Sequence, residues 1–142
     1  MKLVDANILL YAVNSSARHH DRSRRWLDSA LSGDDTVAFS WVALLAFVRL
    51  STKTGLFPAP LTVDEAMDRV DAWLAAPPAV VVEPTPNHPV MVRNLLAPFG
   101  VGANLVNDAH LAALAVEHRG TIVSFDNDFG RFPTVRWELP PD

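Results

Sequence analysis

Cysteine is absent from this chain of 142 residues. That excludes both a disulfide framework and a thiolate metal centre. A long apolar run is absent too. The longest uncharged apolar run, near Thr36–Val48, falls short of the roughly 20 residues that a bilayer-spanning helix needs. The amino terminus enters a strand pattern at once, with no basic n-region followed by an apolar h-region. No signal peptide is therefore expected, and the cytoplasm is the expected compartment. No lysine follows Lys53, and no acid lies between Asp35 and Asp64. Positive charge is in short supply overall. The net charge of −4 speaks against broad nucleic-acid affinity, although Arg18, His19, His20, Arg22, Arg24 and Arg25 form one basic stretch. That stretch reads equally well as a solvated helix face.

What is present suffices for one core. The hydrophobic fraction of 49% matches a globular domain, and the length fits one, over residues 1–142. No internal repeat or low-complexity linker interrupts it. Leu3-Val4 starts a short buried strand, and Asn7 is expected to cap an apolar helix, Ile8 to Val13. A helix from about Asp21 to Leu31 puts Trp26, Leu27, Ala30 and Leu31 on one stripe. Thr36–Phe39 is a strand. Ser40 can cap a helix from Trp41 to about Thr52, which is apolar nearly all round and so expected to be buried. Thr62 and Glu65 form a capping box for a helix to about Ala75, stopped by Pro77-Pro78.

Val80-Val81-Val82 is a third strand, and Pro89 suits the first turn of a helix to about Leu96. Asn107 or Asp108 opens a helix to Arg119 that Gly120 closes. Thr121–Phe125 is a fourth strand, and Val135–Leu139 a possible edge strand. Strands alternating with helices predict an α/β fold: a parallel central sheet of four to five strands with helices on both faces.

In such a sheet the carboxyl ends of strands and the amino ends of helices line the ligand crevice. Asp5 follows the first strand in Leu3-Val4-Asp5-Ala6-Asn7. Asp108 begins the helix Asn107-Asp108-Ala109-His110. Asp126 and Asp128 follow Ile122-Val123-Ser124-Phe125. Each has an ordinary explanation: Asp5 and Asp108 can cap helices, and Asp126 and Asp128 can make Asx-turns. Those explanations do less well with three such positions at once. Gathered carboxylates repel one another and resist burial unless a cation joins them. Mg²⁺ and Mn²⁺ favour carboxylate and water oxygens.

The opening Val-Asp-Ala-Asn, the central Asn-Asp-Ala-His-Leu-Ala-Ala-Leu-Ala and the closing Gly-Thr-Ile-Val-Ser-Phe-Asp-Asn-Asp-Phe resemble the PIN domain. They resemble in particular VapC-type ribonuclease toxins of type II toxin–antitoxin pairs, the kind abundant in mycobacteria. The resemblance spans Met1 to about Trp137. It implies endonucleolytic hydrolysis of RNA (tRNA, rRNA or mRNA) with Mg²⁺ or Mn²⁺. It also implies a VapB-type antitoxin as partner and a homodimer. Asp5, Asp108 and Asp126 are the expected metal ligands. Asp128 completes the catalytic set, as an outer group or the ligand of a second metal. Ser124 can hydrogen-bond a carboxylate or water.

One position departs from the pattern. The family usually has a glutamate in a run resembling Glu-Phe-x-Arg, and this chain reads Ala46-Phe47-Val48-Arg49. An alternative is therefore a PIN-fold RNA- or partner-binding protein with weak or lost cleavage. Arg49 is expected as a buried partner of a carboxylate more than as a phosphate contact. The five histidines are expected to be structural or surface residues, and the tryptophans mostly core. Asp126-Asn127-Asp128 is also similar to the paired aspartates of haloacid-dehalogenase-type phosphatases. Those place the pair on the first strand with a lysine further on, which this chain lacks.

Overall fold

The computed structural model describes residues 1–142. Five short strands, β1 (Lys2–Val4), β2 (Val37–Phe39), β3 (Ala79–Val81), β4 (Thr121–Val123) and β5 (Trp137–Glu138), form one sheet in the order β3-β2-β1-β4-β5. All four pairings are parallel. The order places β1 at the centre, with β4 beside it. The carboxyl ends of β1 and β4 are thus neighbours, and Asp5 N–H donates to Val123 O at 3.1 Å. Parallel strands need crossovers, and helices supply them: α1 (Ala6–Val13), α2 (His20–Leu31), α3 (Trp41–Ser51), α4 (Val63–Ala75), α5 (His88–Leu96) and α6 (Val106–Glu117).

The pleat splits each central strand between two cores. Leu3, Ala38 and Ile122 pack with α5 and α6, where Leu95, Ala109 and Ala112 are buried. Val4, Phe39 and Val123 pack on the other face with Ile8, Leu27, Phe47 and Trp73 from the first four helices. No helix is long and apolar enough to cross a membrane.

Several expectations change in detail. The first helix starts at Ala6 and its cap is Asp5, which accepts the Ala6 N–H at 2.7 Å. Asn7 lies inside the helix and spends its side chain elsewhere. The helix α3 is not buried all round: Trp41 is 42% and Leu45 59% exposed. Its inner face, Ala43, Leu44 and Phe47, fills the core, and the opposite face meets solvent. Hydropathy without a period could not tell those faces apart. Arg49 is exposed on that outer side, so it is not a buried partner for a carboxylate.

The helix α6 opens one residue early, out of a 3₁₀ turn at Ala103–Leu105, and Asp108 sits in its first turn rather than as a cap. It ends before Arg119, and Arg119 rather than Gly120 takes the left-handed conformation, at φ 58°. Gly120 N–H then reaches back to Ala115 O at 2.8 Å. Met1 packs against Gly120, its Sδ 3.4 Å from where a Cβ would stand, an ordinary van der Waals distance.

Candidate functional site

Two strand ends and one helix start converge. Asp5, Asn7 and Ser124 make the base of the site. Ser124 Oγ donates to Asp5 Oδ2 at 2.7 Å, and Asn7 Nδ2 donates to Ser124 Oγ at 3.0 Å and to Asp5 Oδ2 at 3.3 Å. The Asn7 side-chain oxygen Oδ1 accepts from Phe125 N–H at 3.3 Å. Ser124 Oγ also accepts from Asp126 N–H at 2.9 Å. Asn7 therefore ties β1 to β4 across the crevice, a role its neighbours in sequence do not betray. The Trp137 indole N–H donates to Ser124 O at 3.1 Å, anchoring β5 beneath the same turn.

Asp126 caps the 3₁₀ turn Asn127–Arg131 by accepting the Asp128 N–H at 2.9 Å. The turn swings Asp128 back beside Asp126, and α6 brings Asp108 to both. One carboxylate oxygen from each of Asp108, Asp126 and Asp128 lies within 4.8 Å of the others, and all three residues are half-buried. Asp5 lies outside that trio but shares a small cleft with Asp108, and Ala46 lines the same cleft. Residue 46 thus faces the crevice with a methyl group. The capping explanation and the cluster hold together for Asp5 and Asp126, since each uses one oxygen for its cap. Asp108 makes no cap bond.

Burial pushes the Asp108 carboxyl up to about 7, and Asp126, Asp5 and Asp128 push it in the same direction. Burial also raises the Asp5 carboxyl, the Ser124 and Ala6 hydrogen bonds oppose this, and Asp126 adds to the rise. One cation touches the group: Arg131 Nη1 is 3.8 Å from Asp128 Oδ1. The donor set is all carboxylate oxygen on a partly fixed frame, which suits a hard divalent cation.

The other sequence-marked residues are distributed around this centre. The basic stretch is only partly solvated. His19 stacks on Phe125 at 4.3 Å between ring centroids, and Arg22 lies 5.3 Å from that ring and pairs with Asp142. Arg18, Arg24 and Arg25 are exposed. Three of the histidines are structural in specific ways. His88 joins Glu117 at 2.5 Å and His110 at 2.9 Å, while His118 meets Glu83 O at 2.7 Å. Thr85 donates to the same Glu117 carboxylate.

The chain matches the PIN domain family over residues 2–135. It is 64% identical over 141 residues to Ribonuclease VapC37 of Mycobacterium tuberculosis, covering 99% of this chain and 98% of the relative. Ribonuclease VapC31 of the same species is 37% identical over 141 residues, covering 99% of each. Among solved structures, VapBC2 from Rickettsia felis bound to a promoter DNA fragment superposes with a TM-score of 0.69 at 21% identity, covering 97% of each chain. The M. tuberculosis toxin VapC20, which cleaves the sarcin–ricin loop, gives 0.67 at 17% identity over 96% of this chain and 99% of that one.

Proposed function

The chain belongs to the PIN-domain family, and on that premise we propose that it is a metal-dependent endoribonuclease, the toxin of a type II toxin–antitoxin pair. The observation that carries this is the carboxylate group at the carboxyl end of the sheet, with Asp108 pushed up to about 7 by burial and by Asp126, Asp5 and Asp128. A protein gains nothing in stability from such a group alone, because repulsion and burial both oppose it. The group makes sense as a receptor for a cation, and the 64%-identical relative is a ribonuclease.

Asp108, Asp126 and Asp5 would hold the ion, Mg²⁺ or Mn²⁺, and Asp128 would hold it from the exposed side or through water. When bound, such an ion acidifies a water ligand and neutralises phosphoryl oxygen charge. The chain's own groups do the rest. Ser124 and Asn7 fix the Asp5 carboxylate in one orientation. Asp126 is held by its own turn. A carboxylate oxygen of the group that does not contact the ion is suited to take the proton of an attacking water.

The partners follow the same reading: a VapB-type antitoxin, a structured cellular RNA, and a second copy of the chain, all in the cytoplasm. A second reading is favoured by one observation. Ala46 lines the cleft where the usual glutamate is missing, so the protein could bind RNA and cleave it slowly. Incubation of the purified protein with total bacterial RNA in Mn²⁺, followed by mapping of new 5′ ends, separates the two. Discrete cleavage sites are expected. Bound but intact RNA would favour the second reading, and neither binding nor cleavage would refute both.

A further inference from the structure

An RNA-cleaving crevice lined by four carboxylates must still receive a polyanion. The six ion pairs of the structure include one that touches this group, Arg131 with Asp128. The contact is a loose one. At 3.8 Å it exceeds the roughly 2.7–2.9 Å of a charge-assisted hydrogen bond. Both side chains are about half exposed, at 51% and 49%. A surface pair of this kind contributes little to stability.

Its position is nonetheless well defined. Arg131 closes the short turn that begins next to Asp126, so it rides on the same rigid piece as Asp128. Its guanidinium lies over the Phe99 ring, 4.8 Å from the centroid. Phe99 in turn meets the buried Phe132 edge-on at 5.7 Å. An aromatic platform holds a guanidinium plane while leaving its rim of N–H donors free. One of its donors, Nη1, stands 3.8 Å from Asp128 Oδ1 at the edge of the carboxylate group. A fork of donors beside a catalytic centre matches the geometry of a phosphate.

We propose that Arg131 is a substrate-positioning residue that grips an RNA phosphate beside the scissile one, and that its pairing with Asp128 is the resting arrangement which the phosphate replaces. The inference rests on the ribonuclease reading above. It carries a signature of opposite signs. Cation and Arg131 compete for Asp128, so loss of Arg131 leaves affinity for a divalent ion unchanged or improved. Loss of Arg131 also removes a phosphate contact, so RNA binding weakens. A purely structural arginine would weaken both together.

The test compares wild type with Arg131→Ala and Arg131→Lys. RNA binding is read by fluorescence anisotropy of a short, labelled, mixed-sequence single-stranded RNA in millimolar Ca²⁺, with its integrity checked on a gel. Mn²⁺ binding is read by calorimetry. For Arg131→Ala, RNA affinity should fall about tenfold. The slope of log K against log salt should be shallower by about 0.7–1, the equivalent of one phosphate. Mn²⁺ affinity should hold or rise. Arg131→Lys should restore the slope but not the full affinity, since a point charge replaces the fork. Unchanged RNA affinity and slope in Arg131→Ala would overturn the inference, as would a parallel loss of RNA and Mn²⁺ binding with a lowered Tm. Failure of the wild type itself to bind or cleave RNA would remove the ribonuclease reading, and the inference with it.

Discussion

At the scale of single residues, Asp108 is the most revealing group. It lies in the first turn of α6, where a carboxylate is normally favoured by the helix dipole, yet its pKa rises to about 7. The sign of the linkage follows. A carboxylate whose folded pKa is raised binds a proton more tightly folded than unfolded, so stability falls as pH climbs from about 4 to about 7. The metal-free protein should therefore lose a few degrees of Tm across that window and level off above it, and Asp5 acts in the same direction. Asp108→Asn should flatten the slope and raise the metal-free Tm at pH 8 relative to wild type. Thermal melts in EDTA across the pH range measure this. Cleavage by the same variant should drop at least about 100-fold.

Ala46 supplies the complementary test. Ala46→Glu adds a charge to a cleft that already holds Asp5 and Asp108. Without metal the variant should be less stable than wild type. In saturating Mn²⁺ it should recover and bind the ion several-fold more tightly, by about 1 kcal/mol or a little more. A variant that stays destabilised in Mn²⁺ would show that residue 46 does not address the bound ion.

Elements bring these residues together, and they differ in how far sequence reveals them. The strand ends were legible. Short apolar runs stop at Asp5 and at Asp126, although the fourth strand ends two residues before Phe125, at Val123, and alternation with helices makes the sheet parallel, so both ends must lie on one edge. The Thr62–Glu65 capping box was legible as well, and both of its hydrogen bonds are present. Contacts across the fold were not. Asn7 meets Ser124 over a separation of 117 residues, and nothing near Asn7 in the chain distinguishes that role from capping. The outer face of α3 is not legible in sequence, because Trp41 and Leu45 are as apolar as its core face.

The Glu117–His88–His110 chain was hidden for the same reason, since its members come from two helices. It locks α5 onto α6. Burial raises the Glu117 carboxyl, but hydrogen bonds from Thr85 and His88 outweigh this and hold it below the usual range. Burial and the neighbouring His88 lower the His110 pKa. Glu117→Ala leaves Thr85 and His88 without their acceptor, so it should cost about 1–3 kcal/mol, measured by urea unfolding. Because α6 also carries Asp108, weaker Mn²⁺ binding should accompany the loss.

At the scale of the whole molecule, the sheet order dictates the site. Placing β1 between β2 and β4 brings Asp5 beside Ser124 and Asp126, and the crossover into β4 delivers α6 with Asp108. Family and fold agree from the residues upward. Induced expression in a bacterium should arrest growth, Asp108→Asn should relieve the arrest, and co-expression of a cognate antitoxin should relieve it without mutation. Growth curves with matched protein levels decide this, and harmless accumulation of folded wild type would count against a toxin.

The central claim is that these carboxylates exist to hold a divalent cation, and Mn²⁺ calorimetry near pH 7 in two buffers of different ionisation heat tests it most directly. A carboxyl raised to about 7 is partly protonated there, so binding should be saturable and release a fraction of a proton from Asp108. Asp108→Asn should abolish both the heat and the proton release. Heat no greater than dilution in the wild type, or undiminished binding by Asp108→Asn, would contradict the account.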